Sequence, residues 1–359
     1  MNDEEHKAVR ITTGSCVQNE NSDDQEGILE SVLDGVRVQR VHPRMLDGVA
    51  ESGYSWCNTC NHRGTEAYEQ NQQRFGNNKE DWYQHIMAQT RMEKWISVLG
   101  HLVRPPEQIL TISAKQQKKY FDTPLCKNIA FQGVRAKELL GDEAKDLANE
   151  FREISRSPLT PLTSTSQGWF VRTSACSTKD SQSDGGAGPH FCLENALLSL
   201  FASERVHVSM KDYTNDVKVY LVPFDSTVTV AREMRVFVYK HQVTAISQYD
   251  VYNDDSILCA MSDAQIAELA ELVNVFYCKN VRDVWIEHGG IDSYVMDVEY
   301  DQGGAVRLME LNSFGAEMAA ASALFHWVRD ANEITPLEPL GKGICFRVRA
   351  PNLSEEFRY

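Results

Sequence analysis

Apolar and polar residues alternate through Tyr294, Met296 and Val298, and again through Val306 and Leu308. A period of two predicts strands with one buried face. Asp301-Gln302-Gly303-Gly304 supplies a turn between them, so residues 294–315 read as a β-hairpin. Arg232 to Asp250 reads as a second hairpin, with Lys240-His241-Gln242 near its turn. Trp169 to Thr173 is a short apolar strand. Ile344 to Arg349 alternates as a last strand, after a turn marked by Gly341 and Gly343. Elsewhere the spacing changes to that of helices. Trp82, Ile86 and later apolar residues recur at helical spacing across Glu80–Leu99, and Pro105-Pro106 ends the regularity. That aromatic stripe reads as core packing. Residues 141–155 predict another helix. A third starts at the capping box Ser262-Asp-Ala-Gln265 and buries Ile266, Leu269, Val273 and Phe276 on one stripe.

The connecting segments differ in kind. Residues 1–27 are polar and acidic, which predicts disorder. Ser155 to Gln167 is rich in serine, threonine and proline and reads as a linker. Ser183-Asp-Gly-Gly-Ala-Gly-Pro-His190 is a glycine-rich loop whose backbone N–H groups suit phosphates, but it matches no phosphate fingerprint and reads equally as a surface turn.

Composition narrows the class. A chain of 359 residues can bury one large core or two medium ones. It has no run of about 18 apolar residues, so no membrane span is expected. Met1-Asn-Asp-Glu-Glu-His6 lacks the basic and apolar regions of a signal peptide. Nine scattered cysteines, an odd number, fit reduced thiols and a cytoplasmic setting. Cys57, Cys60 and His62 cluster, but a structural zinc site needs four ligands and no second pair follows at suitable spacing. The formal charge of −15 argues against nucleic-acid backbones and favours basic protein partners.

The candidate chemistry lies on the hairpins. Glu310 and Asn312 are two apart and share a face. If the loop has two or four residues centred on Gln302-Gly303, Asp297 lies opposite Leu308, diagonal to Glu310 and on its face. A three-residue loop would turn Asp297 away. Three oxygen-bearing side chains in one volume suit a hard divalent cation, although acidic residues at strand ends are also often simply solvated. Arg235 shares a strand face with Phe237, and its planar fork suits phosphate. Arg172 and Lys179 stand at and beyond the end of the Trp169 strand.

Residues from about Trp169 to Trp327 resemble, in order and spacing, the cell division cycle protein 123 family of the ATP-grasp superfamily. The resemblance rests on Phe170-Val-Arg-Thr-Ser-Ala-Cys-Ser-Thr-Lys-Asp180, the helix Leu193–Glu204, Val219-Tyr-Leu-Val-Pro-Phe224, Glu233-Met-Arg-Val-Phe-Val238 and Ile246-Ser-Gln-Tyr-Asp250. Met296-Asp297, Glu310-Leu-Asn-Ser-Phe-Gly315 and Leu324-Phe-His-Trp327 complete it. The chain departs from the family at several points. Arg172 stands where the family has its first lysine, Glu310 replaces the first carboxylate of an Asp-x-Asn pair, and Ser313 replaces a proline. One acidic residue is missing after Gly315.

The resemblance implies an α+β ATP-grasp fold of two lobes, each with an antiparallel sheet and helices, around a nucleotide cleft. The expected division is an acidic tail at 1–27, an N-terminal region at 28–140 of no assigned role, a first lobe at 141–225 and a second at 226–359. Mg-ATP is the expected cofactor. Asp297, Glu310 and Asn312 would hold Mg2+. Arg172, Lys179 and Arg235 would contact phosphates, with catalytic roles falling to Lys179 and Arg235. Glu233 joins the nucleotide site, and the backbone of Val219, Tyr220, Leu221, Val222 and Phe224 would border adenine. The implied partner is the gamma subunit of translation initiation factor two, met by a monomer acting as its assembly factor. An ATP-dependent ligase and a nucleotide-binding pseudoenzyme are the alternatives.

Overall fold

The computed structural model describes residues 28–42, 87–132, 136–154, 167–181, 188–210, 216–251, 256–315, 318, 320, 322–327, 329–338 and 343–350. The expected tail, the Cys57/Cys60/His62 cluster, Trp82, Ile86 and most of the linker and of the glycine-rich loop lie outside them.

The alternating segments pair into two sheets. The larger contains β1 (Ile28–Leu33), β2 (Val36–Val41), β6 (Glu233–Tyr239), β7 (Gln242–Gln248), β8 (Tyr294–Tyr300), β9 (Val306–Asn312) and β10 (Ile344–Arg349). Their order is β1-β2-β10-β7-β6-β8-β9. β10 runs parallel to both neighbours and the other pairs are antiparallel, so the sheet is mixed where an antiparallel one was expected. The smaller sheet is antiparallel, with β5 (Val217–Pro223) between β3 (Gln108–Ile112) and β4 (Trp169–Thr173).

The period of two divides the large sheet's faces. Met234, Val236, Val238, Tyr294, Met296, Val298 and Phe346 point into one core. α1 (Met92–Leu99) and α6 (Asp263–Phe276) cover it through Trp95, Leu99, Ile266, Leu269 and Val273. The capping box that starts α6 forms as the sequence requires: Ser262 Oγ accepts from Gln265 N, and Gln265 reaches back to Ser262 N. On the opposite face, Phe237, Ala245, Val295 and Cys345 pack with Phe314, Phe325 and Trp327. Farther along that same face the residues become charged, and there the cleft opens.

The small lobe forms by the same rule. Leu110, Ile112, Trp169, Val171, Val217, Val219 and Leu221 turn inward against helices that include α2 (Pro124–Gln132), α3 (Ala136–Ile154), α4 (Leu193–Phe201) and α5 (Glu204–Met210). Residues 28–140 divide between the lobes. β1, β2 and α1 extend the large one, and β3 and α2 belong to the small one. No described helix is long and apolar enough to cross a membrane.

Candidate functional site

The lobes meet at a cleft of about 260 Å³. β4 and β5 send the alternate residues Phe170, Arg172 and Val222 into it, and β6, β8 and β9 supply Glu233, Asp297, Leu308 and Glu310. One part is apolar, with Phe170, Val222, Pro223, Phe224, Val228 and Val230. The other is charged, with Arg172, Lys179, Glu233, Asp297 and Glu310.

Asp297 pairs directly with Glu310, where Leu308 was expected. Tyr300 pairs with Val306, which leaves a loop of five residues, 301–305. An odd loop alone would put Asp297 opposite Met309 and on the wrong face for Glu310. A β-bulge between the Val298–Leu308 and Asp297–Glu310 pairs takes up Met309 and restores the convergence. Bulges re-aim side chains in this way beside functional sites. The same bulge lets Leu308 and Leu311, three apart, both enter the core.

The three oxygen-bearing residues do come together. Asn312 Nδ2 donates to Asp297 Oδ2 at 2.9 Å and to Glu310 Oε1 at 3.1 Å. Arg235 donates from Nε to Asp297 Oδ1 at 2.9 Å and from Nη2 to Oδ2 at 2.8 Å, a two-pronged pair with both side chains buried. Arg172 Nη1 lies 2.8 Å from Glu310 Oε2. Both arginines therefore bind carboxylates of the cleft.

Burial and charge set the site's protonation. Burial works against the Glu310 carboxylate, but Arg172, Lys179 and the Asn312 amide outweigh it and hold the group at about 2. Glu233 shifts the other way. Burial, with help from Asp297, Glu310 and Glu299, outweighs Lys179 and raises it to about 7. Burial disfavours the Lys179 ammonium, yet Glu233, Tyr249, Glu310 and Asp297 together raise it.

The donor set, two facing carboxylates and one amide able to present oxygen after a half-turn, is of the kind a hard cation takes, with both Asp297 oxygens here held by Arg235. Among the described residues no group of three His, Cys, Asp or Glu side chains is arranged to hold a metal, so such an ion would rely on Asn312 and on ligand oxygens. Of the expected adenine-bordering residues, Val222 and Phe224 line the cleft. Val219 and Leu221 point into the small-lobe core and Tyr220 into the large-lobe core. This follows from the pleat of β5. The sequence reading missed several cleft residues. Tyr249 and Phe170 lay inside recognised motifs, whereas Arg104 and Asp225, paired to each other, carried no periodic signal.

A mixed sheet and a small antiparallel sheet, facing each other across a cleft with a charged end and an apolar end, define an ATP-grasp fold. Residues 195–338, which hold β5 to β9 and most of the charged end, match the D123 family model. Over those residues the chain is similar to that family. The structure is similar to C-terminally truncated Cdc123 from Schizosaccharomyces pombe, with 13% identity, 74% of this chain and 97% of that chain covered, and a TM-score of 0.49. It is also similar to D-alanyl-alanine synthetase A from Vibrio cholerae, with 12% identity, 67% and 58% covered, and a TM-score of 0.28. A comparison with curated proteins finds no match.

Proposed function

We propose that the cleft binds Mg-ATP and that the protein acts as an assembly factor for translation initiation factor two through its gamma subunit. The supporting observation is the meeting of Asp297, Glu310 and Asn312 with Arg172, Lys179 and Arg235 at one end of a cleft whose other end is apolar. A flat base suits the apolar end, between Phe170, Val222 and Phe224. Phosphates suit the charged end. Magnesium is usually held by one or two carboxylates plus substrate phosphates, and Asp297 and Glu310 supply the carboxylates. When bound, the ion would offset phosphate charge that these carboxylates would otherwise repel. Arg172, tied to Glu310 through Nη1 and to Thr173 O through Nε, keeps further N–H donors for phosphate oxygens. The partner is proposed from the likeness of residues 195–338 to the D123 family.

Titration calorimetry of ATP with and without Mg2+ tests the site. Glu310→Ala is expected to abolish Mg2+-dependent binding, because it removes one of two facing carboxylates. Unchanged affinity in that variant overturns the metal assignment.

A further inference from the structure

We propose that Tyr249 is a positioning residue of the cleft, whose ring presets the Lys179 ammonium for phosphate. This rests on the nucleotide reading above. Tyr249 follows the last residue of β7, and its backbone N–H donates to Glu233 O at 3.1 Å, which fixes it beside the start of β6. Two cations from different lobes sit over its ring. Arg235 Cζ of the large lobe lies 4.8 Å from the ring centroid, and Lys179 Nζ of the small lobe lies 5.4 Å from it. Both distances fall within the range of cation–π attraction, about 6 Å.

The two cations are held differently. Arg235 is fixed by two hydrogen bonds to Asp297. Lys179 has a firm backbone: Ser181 N donates to Thr178 O, and the neighbouring Asp180 carboxylate accepts from Ser203 Oγ at 2.6 Å and from Arg205 N at 2.9 Å. Its four-carbon side chain is flexible; Glu233, Glu310 and Asp297 attract its ammonium by charge, and the Tyr249 ring adds a face for it to rest on. A cation already aimed loses less rotamer freedom when phosphate arrives. The ring thus acts on binding through Lys179, and through its aromatic face rather than its hydroxyl.

The test measures ATP and adenosine affinity by calorimetry with the full chain. Tyr249→Phe keeps the ring and is expected to bind ATP as wild type does. Tyr249→Leu is expected to weaken ATP about tenfold, within the range of a partly buried cation–π contact, and to leave adenosine unchanged. In a Lys179→Met background, Tyr249→Leu should add no further loss. Four results overturn the proposal: no loss of ATP, equal loss of ATP and adenosine, equal loss in the Phe and Leu variants, or additive losses with Lys179→Met. A wild-type protein that binds no ATP overturns the nucleotide reading and this inference together. If Tyr249→Leu does not fold, the wild-type protein decides the matter. Ring shielding should move the methylene resonance beside the Lys179 ammonium upfield of the ordinary lysine position, as for Lys119 and Lys240, which also lie over tyrosine rings, and an ordinary position overturns the proposal.

Discussion

Glu233 faces Lys179 of the small lobe, lies in the same sheet as Asp297, Glu310 and Glu299, and is raised from the ordinary glutamate value to about 7 by burial first, with the three acids working against the lysine. A folded-state pKa above the unfolded one means the folded protein binds more protons in between. This group's stabilisation is therefore complete below about pH 4.5 and lost as pH rises to about 7. The magnitude is on the order of 3 kcal/mol. Buried His190 acts oppositely. Burial depresses it to about 4, so its contribution rises with pH between about 4 and 6.5. The overlap makes the wild-type profile alone uninformative and the difference between two profiles decisive. Glu233→Gln should be more stable than wild type at pH 7.5, and the gap should close as pH falls toward 4.5. Chemical denaturation at several pH values measures it, and a constant gap would refute the assignment. Glu310, held at about 2, works in a separate window: its contribution is present above about pH 4.5 and lost as pH falls through about 2. Glu233 was placed in the nucleotide site from its motif. Its protonation was not legible, because it depends on charges from β8, β9 and the Lys179 turn, which only the folded chain brings together.

Most strands were readable as elements because one face of each is apolar at every second residue. Tyr294, Met296 and Val298 entered the core as their alternation requires, and so did the stripe on α6. Register was harder. The turn residues left the loop length open, and the bulge at Met309 corrected what the odd loop would have done to Asp297. Leu308 and Leu311, three apart and flanking Glu310, were the available sign of a broken period. The parallel placement of β10 between β2 and β7 left no local trace at all, since no local signal in the chain encodes a strand's neighbour. That placement has a tight point at its start. Gly343 has φ +71, and a Cβ there would lie 2.0 Å from Gly35 O, in the turn that joins β1 to β2. Gly343→Ala should therefore push apart the β2–β10 pair and cost roughly 3 kcal/mol or more, from backbone strain and clash. Urea unfolding reads it directly. A loss under about 1 kcal/mol would mean that the two turns can separate freely.

Across the whole molecule, the cleft joins two lobes that also make ion pairs at its mouth. Arg104 pairs with Asp225 just beyond β5, and Arg307 of β9 lies 3.8 Å from the same carboxylate. Asp225 is thus shared between an arginine preceding β3 and an arginine of the large sheet. ATP can strengthen binding of a partner only if that partner prefers the lobe arrangement that ATP prefers. The chain's formal charge of −15 adds a second, independent dependence. A partner of basic or mixed charge would be steered from a distance, and such steering is screened beyond a Debye length of about 8 Å at physiological salt. The proposed assembly role then makes a joint demand when the protein is mixed with the gamma subunit. A complex should form, its association rate should fall as salt rises while its dissociation rate changes less, and nucleotide should not be consumed in step with complex formation. Stopped-flow association at several salt concentrations, run beside an assay for ADP and AMP, measures all three. Absence of a complex even at low salt, together with ADP or AMP release that appears only when an acceptor is supplied, would replace the assembly reading with that of an ATP-dependent ligase, in which the same carboxylates and cations serve the activation of an acceptor.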